Sequence, residues 1–112
     1  MLLALFTFIL QTNRDISRTI FINNISRRTA ENHIKRFFTQ FGFIHEAAIA
    51  SPVELKGFGQ IGYVTFQSTD AIDAVMERQD ENGIAKYVID GRVVECEAAT
   101  VFEVTTKHPR CT

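Results

Sequence analysis

Two short β-rich stretches, about 40 residues apart, constrain the fold of this chain more than any other feature. They are residues 20–25 (sequence IFINNI) and 59–66 (sequence GQIGYVTF). Their β-branched and aromatic residues are typical of strands. The segment between them has the apolar spacing of a helix with one buried face. We therefore expect the two stretches to be the central strands of one sheet.

The first helix is predicted from apolar residues at intervals of three and four. This series is Ala30, Ile34, Phe37, Phe38 and Phe41. Thr29 is the expected N-terminal cap, and Gly42 is expected to end the helix. A second strand is predicted over residues 43–50, with a bulge near His45 and Glu46 where the alternation of apolar residues is interrupted.

The rest of the chain completes the order β-α-β-β-α-β. Residues 51–59 contain Pro52 and two glycines, which predicts a loop. A second helix is expected from Asp70, then a short extended piece over residues 86–89, an Asp90-Gly91 turn, and a last strand over residues 93–98. This order predicts an α+β, ferredoxin-like fold. Its four-stranded antiparallel sheet would carry both helices on one face.

Length and composition indicate one domain. The chain has 112 residues, of which 46% are hydrophobic, enough for one packed core. We divide it into an extension and linker (1–16), the domain (17–100) and a C-terminal tail (101–112). Residues 1–10 are apolar but too few to span a membrane, which takes roughly 20 residues. A peripheral extension is the simplest interpretation, and a mitochondrial presequence stays open.

Charge and cysteine content limit the partners and the compartment. The net charge is −1, so no overall basic field attracts nucleic acid. Cys96 falls in a strand pattern and Cys111 near the end, without the spacing of metal ligands. We therefore predict no disulfide framework, a reducing compartment, and no metal or other cofactor.

Strand alternation suggests a binding face. If Ile20 and Val64 point towards the helices, then Phe21, Asn23, Ile61, Tyr63 and Thr65 point away from them. An aromatic pair on a solvent-facing sheet is costly unless something docks there. The alternative is that Phe21 and Tyr63 form a cross-strand pair covered by the C-terminal tail, with Phe102 as the covering residue.

These stretches resemble the RNA-recognition motif family over residues 17–99. Residues 20–25 match the family hexamer, residues 62–66 (GYVTF) match the second half of its octamer, and residues 38–42 and 90–92 resemble its helix end and its last turn. The first half of the octamer differs from the family pattern, since Ile61 stands where the family has an aromatic residue. The resemblance implies that single-stranded RNA or RNA loops stack their bases on Phe21 and Tyr63, with Ile61 as a third contact.

Charged residues near this face support and oppose RNA binding. Lys56 and Arg92 are the expected phosphate contacts. Glu95 and Glu97 should point to the same face, where they either repel phosphate or accept hydrogen bonds from base amino groups. Another basic group, around the first helix, is expected to be a solvated surface on the opposite side: Arg27, Arg28, Lys35 and Arg36.

No pattern supports an enzyme. The three histidines, His33, His45 and His108, have no acid or nucleophile at a spacing typical of a catalytic site. We predict a monomeric RNA-binding protein of the nucleus or cytoplasm, without a membrane partner. The alternative is a protein-interaction module of the same fold, which would bind through its helical side or N-terminal extension. A lone domain of this length also looks somewhat like a mitochondrial member of the family that interacts with stem-loop RNA, which keeps that organelle open.

Overall fold

The computed structural model describes residues 16–50 and 59–99. These residues form five strands and two α-helices, and short 3-10 segments precede β1 and follow each helix. The elements are β1 (Thr19–Ile25), α1 (Glu31–Phe38), β2 (Ile44–Ala50), β3 (Gln60–Phe66), α2 (Asp70–Val75), β4 (Ala85–Ile89) and β5 (Arg92–Ala98).

The strands form one antiparallel sheet in the order β2-β3-β1-β5-β4. β1 lies at its centre with β3 and β5 on either side, so the two β-rich stretches are indeed neighbours. Both helices pack on the same face. The predicted α+β, ferredoxin-like architecture is therefore confirmed.

The prediction of four strands is wrong in one detail. The piece expected to be merely extended is a full strand, β4, which pairs with β5 along its whole length. The two strands are joined by Asp90 and Gly91, whose φ angles are 53° and 77°. Positive φ at both central residues is the conformation that suits a two-residue hairpin. β4 also alternates between buried and exposed residues, a strand pattern that its short length obscured in the sequence.

The hydrophobic core lies between the sheet and the helices. Its members are completely or almost completely buried and come from the inward positions of the strands and one side of each helix: Ile20, Ile22, Val64, Phe66, Val94, Cys96, Ile34, Phe38, Ala71 and Val75. Each large apolar side chain buried in this way stabilises the fold by roughly 1.5–3 kcal/mol. Strand alternation then directs the intervening residues to the face turned away from α1 and α2, which we call the outer face.

The start of α1 differs from the prediction. Ala30, and not Thr29, occupies the N-cap position, and its backbone N–H donates to His33 Nδ1 at 3.2 Å. The Thr29 hydroxyl instead donates to the Asp90 carboxylate at 2.7 Å. A side chain that caps a helix in many sequences is here used to tie the helix entry to the β4–β5 turn, a contact between residues far apart in the chain.

Other local features agree with the sequence. The pairing of β2 with β3 shifts register between Ile44 and Glu46, which confirms the predicted bulge. α1 ends at Phe38, and a 3-10 segment continues to Phe41 before Gly42. The helices described here are all too short or too polar to cross a membrane. The domain limits at residues 16 and 100 stay a prediction.

Gly42 marks the closest approach of α2 to the chain that leaves α1. A Cβ at position 42 would lie 2.8 Å from the Ala71 Cβ, which is closer than two carbons can pack. Glycine here and alanine at the start of α2 together allow the helix to lie against the sheet.

We expect Gly42→Ala to destabilise the domain by about 1–3 kcal/mol because the added methyl overpacks this contact. Ala71→Gly alone should cost about 1 kcal/mol of helix propensity. The double variant should cost less than the sum, because Ala71→Gly removes the Cβ that the methyl added by Gly42→Ala would overlap. Urea unfolding followed by circular dichroism measures all three free energies, and strict additivity would contradict the contact.

Candidate nucleic-acid interface

Phe21 and Tyr63 are direct cross-strand partners at the middle of β1 and β3. Their neighbours Ile20 and Val64 belong to the core under the helices. Both aromatic rings therefore lie side by side on the outer face. Ile61 and Thr65, two residues to either side of Tyr63 on β3, share that face.

The outer face is buried, which corrects the expectation of an open aromatic surface. Phe21 and Ile61 are each 1% exposed and Tyr63 is 8% exposed. None of the three is part of the core beneath α1 and α2. Their burial must therefore come from the opposite side of the sheet. Aromatic surface of this size is unfavourable in water, which is the physical reason for covering it.

Tyr63 is held by a carboxylate that sequence reasoning missed. Its hydroxyl donates to Glu46 Oε2 on β2 at 2.6 Å. Burial, together with this hydrogen bond, raises the pKa of Tyr63 to about 12. Glu46 comes within reach because the β2 bulge sets it opposite Thr65. The predicted bulge was the only signal in the sequence that could have suggested this contact.

Thr65 is used inside the sheet and does not present its hydroxyl to solvent. Its Oγ1 lies 2.8 Å from the Thr19 Oγ1, and both side chains are buried. The two residues are cross-strand partners at one end of the β1–β3 pair. A base could reach Thr65 only after the outer face is uncovered.

Asn23 is half-buried at the other end of the outer face. Its Oδ1 accepts a hydrogen bond from the backbone N–H of Asn24 at 3.0 Å. Asn24 adopts a left-handed conformation with φ of 65° and donates from its side chain to the Val93 carbonyl. The amide group of Asn23 keeps its two N–H donors on the face, where they suit base edges.

Glu95 and Glu97 lie where the sequence predicts, across from β1. Glu97 is the cross-strand partner of Phe21, and Glu95 is that of Asn23. Both are half-buried, while Val94 and Cys96 between them are fully buried in the core. Burial raises the pKa of Glu97, because the charged carboxylate loses part of its water. Burial likewise raises the pKa of the Cys96 thiol, to about 12, so this cysteine is a packing residue.

The predicted phosphate contacts are not assembled on this face. Arg92 donates from its guanidinium to Asn24 Oδ1 at 2.8 Å, and its buried Nε has no hydrogen-bond partner among the described residues. Arg18 donates to the Gln67 carbonyl. Lys56 and Phe102 lie outside the described residues. The basic group around α1, Arg27, Arg28, Lys35 and Arg36, is exposed and flanks the other face of the sheet.

His33 belongs to a structural cluster. Its Nδ1 lies 3.1 Å from Asp90 Oδ2, the oxygen that also accepts from Thr29. The Thr29 hydrogen bond, followed by the interaction with the nearby His33 ring, holds the pKa of Asp90 below its usual value. The three side chains join the beginning of α1 to the β4–β5 turn. His45 is exposed on β2, and His108 lies outside the described residues.

Comparison with known proteins agrees with this fold. Residues 20–90 match the RNA recognition motif family. RNA-binding protein Musashi homolog 1 of Caenorhabditis elegans is 27% identical over 88 residues, which cover 79% of this chain and 26% of that protein. The chain thus spans about a quarter of the length of this curated relative.

Solved structures show the same architecture. The RNA binding domain of Hrp1 in complex with RNA superposes with a TM-score of 0.61 at 20% identity, covering 83% of this chain and 52% of that chain. The Mip6 RRM3 domain has a TM-score of 0.60 at 13% identity, with coverage of 75% and 94%. The PID-3 TOFU-6 RRM domain complex has a TM-score of 0.58 at 18% identity, with coverage of 70% and 81%.

The family match includes all but the first residue of β1, both helices, β3 with its paired tyrosine, and β4, and it ends at Asp90. The superpositions show that the solved domains share this fold. The chain belongs to the RNA recognition motif family.

Proposed function

We propose that this protein binds single-stranded RNA, or the exposed nucleotides of RNA loops, on the outer face of its sheet. The observation that carries the proposal is the direct cross-strand pairing of Phe21 with Tyr63 on the two neighbouring strands β1 and β3. Two rings at this spacing can each support one unstacked base. Stacking on an aromatic ring contributes roughly 1–3 kcal/mol per base.

The similar proteins support RNA as the ligand class. The Musashi homologue is named as an RNA-binding protein, and the Hrp1 domain is described in complex with RNA. The Hrp1 domain shares the fold of this chain, and the Musashi homologue is similar to it in sequence. The buried free thiol of Cys96 also suits the reducing nucleus or cytoplasm, where we place the activity.

The burial of the outer face sets a condition on this function. Because Phe21 and Tyr63 are almost fully buried, bases reach them only in molecules whose outer face is uncovered. The apparent dissociation constant is then the intrinsic one divided by the uncovered fraction. We therefore propose an RNA-binding domain whose affinity depends on the exposure of its stacking residues.

The polar groups at the rim of this face favour recognition of particular bases and do not attract the RNA backbone. Glu95, Glu97 and the amide of Asn23 line the side of the platform formed by β1 and β5. The carboxylates repel phosphate, but they accept hydrogen bonds from amino groups such as cytosine N4. Such a surface favours bases over backbone and keeps non-specific RNA binding weak.

Protein binding is the second candidate, favoured by a groove on the helical side. This cavity of about 720 Å³ is lined by Phe37, Phe41 and Tyr87 and reaches Val88 and Val93. Val88 is 61% exposed and Val93 is 46% exposed, an apolar rim of the kind that protein partners contact. The complex of PID-3 with the TOFU-6 RRM domain is an example of such association among similar folds.

Chemical-shift mapping separates the two candidates. Addition of a mixed single-stranded RNA pool to the isotope-labelled protein should shift the amide signals of β1, β3 and β5 around Phe21 and Tyr63. Shifts confined to the groove beside Val88 and Val93 would contradict the proposed RNA face.

We expect Phe21→Leu combined with Tyr63→Leu to weaken RNA binding by about 2–6 kcal/mol if the two stacking contributions add. Leucine keeps an apolar side chain at both positions but removes the aromatic ring. Tyr63→Phe is the matched control, because it keeps the ring and loses only the hydrogen bond to Glu46. Fluorescence anisotropy with labelled RNA measures affinity, and circular dichroism checks the fold. A folded double variant with unchanged RNA affinity would contradict the stacking proposal.

We expect a shallow salt dependence, with a slope of log affinity on log salt of roughly −1.5 to −2, because only about two or three phosphates are neutralised. Arg92 and Arg18 are already engaged with Asn24 and Gln67. Lys35→Gln with Arg36→Gln, on the exposed end of α1, should leave this slope unchanged. If the unaltered chain instead shows a slope several times steeper, and this slope becomes shallower in the Lys35→Gln and Arg36→Gln variant, the RNA site lies on the basic helix and not on the outer face.

We expect Glu97→Gln to strengthen RNA binding at neutral pH by roughly two- to fivefold, the size of one partly screened charge interaction. Because burial raises the pKa of Glu97, its carboxylate takes up a proton at higher pH than an ordinary glutamate. The advantage of the variant should therefore shrink as the pH falls through that raised pKa. Glu77→Gln, an exposed carboxylate after α2, is the control, and an equal gain there would contradict a local effect.

A further inference from the structure

The edge of the sheet at β4 presents backbone groups that β5 does not use. β4 is the last strand in the sheet order and pairs only with β5 in the part of the chain that the structure describes. In a two-residue hairpin the pair that closes the turn is hydrogen-bonded, and every second pair after it is not. Ile89 and Arg92 are that closing pair, so Val88 and Lys86 occupy the alternate positions. Their N–H and C=O groups therefore point away from β5.

A hydrogen bond on the other side of β5 agrees with this register. Val93 is the cross-strand partner of Val88, and its carbonyl accepts from the Asn24 side chain on β1 at 2.8 Å. A carbonyl directed towards β1 is turned away from β4. Within residues 16–50 and 59–99, no loop or turn supplies a backbone partner for Lys86 or Val88. Free groups of this kind on an edge strand can pair with another extended segment.

An aromatic groove lies beside this edge on the helical side. The ring centroids of Phe37 and Phe41 lie 5.6 Å and 5.4 Å from that of Tyr87. Both phenylalanines are half-buried, and with Tyr87 they line the cavity of about 720 Å³. A segment added to β4 would direct every second side chain towards this cavity. The groove therefore suits a strand with large apolar residues at alternate positions.

Cations around the groove favour an acidic segment. Arg78 and Lys86 line the same cavity, and Arg36 lines a neighbouring one that shares the Phe37 wall. The guanidinium carbon of Arg78 lies 4.7 Å from the ring centroid of Tyr87. All three cations are exposed, and in the described part of the chain none of them forms an ion pair. Their charge is thus available to a partner.

The acidic residues near the groove do not cancel this charge. Asp90 lines the neighbouring cavity, but its carboxylate already interacts with Thr29 and His33. Glu77 is exposed and is the other carboxylate that lines these two cavities among the described residues. A second copy of the chain would bring the same basic rim and another Lys86 to the edge. A lysine on an edge strand opposes such self-pairing.

We propose that the groove binds an extended acidic segment of a partner protein, which pairs with β4 as an additional strand. The backbone of the segment hydrogen-bonds to Lys86 and Val88, and its apolar side chains enter the cavity between Phe37 and Phe41. Its carboxylates lie beside Lys86 and Arg78. The inference rests on protein binding, the second candidate function, and it is independent of RNA binding on the outer face.

The first experiment compares two end-capped octapeptides, DVEFEVED and KVKFKVKK, which share their apolar residues and differ in charge. The acidic peptide should shift the amide signals of Lys86 and Val88 and slow the exchange of both amides with water, because both gain a carbonyl partner. The Tyr87 amide, which already faces β5, is the internal control and should keep its exchange rate. Shifts in the groove without slower exchange at Lys86 and Val88 would overturn strand addition.

Charge reversal at the edge tests the sign of the partner. Lys86→Glu should weaken binding of the acidic peptide by roughly four- to twentyfold, because one attraction is lost and one repulsion is gained. The same variant should bind the lysine peptide more tightly. Lys35→Glu is the matched control, since Lys35 is exposed on α1 and lines neither cavity. Equal losses in the two variants would reveal a general charge effect and contradict the proposal.

Proline at the edge tests the backbone contact. Val88→Pro removes an N–H that the β4–β5 pairing does not use, and edge strands tolerate such a residue. Affinity for the acidic peptide should fall roughly fivefold or more, whereas Val88→Thr, which keeps the N–H, should bind nearly as the unaltered chain does. Circular dichroism checks the fold, and the Lys86→Glu comparison decides the question if the proline variant unfolds. A folded proline variant with unchanged affinity would overturn pairing with β4.

RNA binding measured on the same samples keeps the two proposals apart. Saturating acidic peptide should leave the affinity for labelled single-stranded RNA unchanged, because the groove and the outer face lie on opposite sides of the sheet. Intact RNA binding without any peptide binding overturns the groove proposal alone. Tighter binding of the lysine peptide overturns the acidic segment but leaves protein binding at the groove. Peptide binding without RNA binding supports the groove and overturns the function proposed for the outer face.

Discussion

The register between β1 and β3 is the constraint on which both sides of the sheet depend. Pairing of Phe21 with Tyr63 sets Ile20 and Val64 towards the helices on the same register. A slip of one residue would turn every side chain of a strand to the opposite face and exchange the core for the aromatic platform. Gly62 fits this arrangement, because a Cβ there would lie 2.5 Å from the Ala48 carbonyl oxygen. The close approach of β2 to β3 therefore requires glycine within the strand itself.

The features that the sequence predicted well are those decided by nearby residues. Alternation placed the core and outer faces of β1, β3 and β5, and the Asp90-Gly91 dipeptide predicted the hairpin turn by its preference for positive φ. The Thr29 cap failed because a distant acceptor, Asp90, competes for the same hydroxyl. The tie between Tyr63 and Glu46 also joins separate strands. Local patterns contain no information about such partners until the sheet order is known.

The burial of the outer face could not be predicted from the sequence, because it too depends on contacts between residues far apart in the chain. Alternation shows which way Phe21 and Tyr63 point, but it does not show what lies above them. The sequence left two alternatives open, an exposed platform for bases and a covered aromatic pair, and the near-complete burial of both rings fits the covered arrangement. Burial of these rings and the proposed RNA binding do not exclude each other, because RNA would select the molecules in which the face is uncovered.

In the proposed RNA-binding function, the acidic rim makes binding depend on bases more than on backbone. Glu97 has already lost water through burial, and an RNA strand would add the repulsion of its phosphates to that cost. RNA would therefore bind only where base stacking on Phe21 and Tyr63, with hydrogen bonds to Asn23, exceeds the free energy needed to uncover the face. Backbone contacts common to all RNA would contribute little, because Arg18 and Arg92 are engaged with Gln67 and Asn24 in the part of the chain that the structure describes. Uncovering the face would thus be a selection step that favours RNA with well-placed bases over other polyanions.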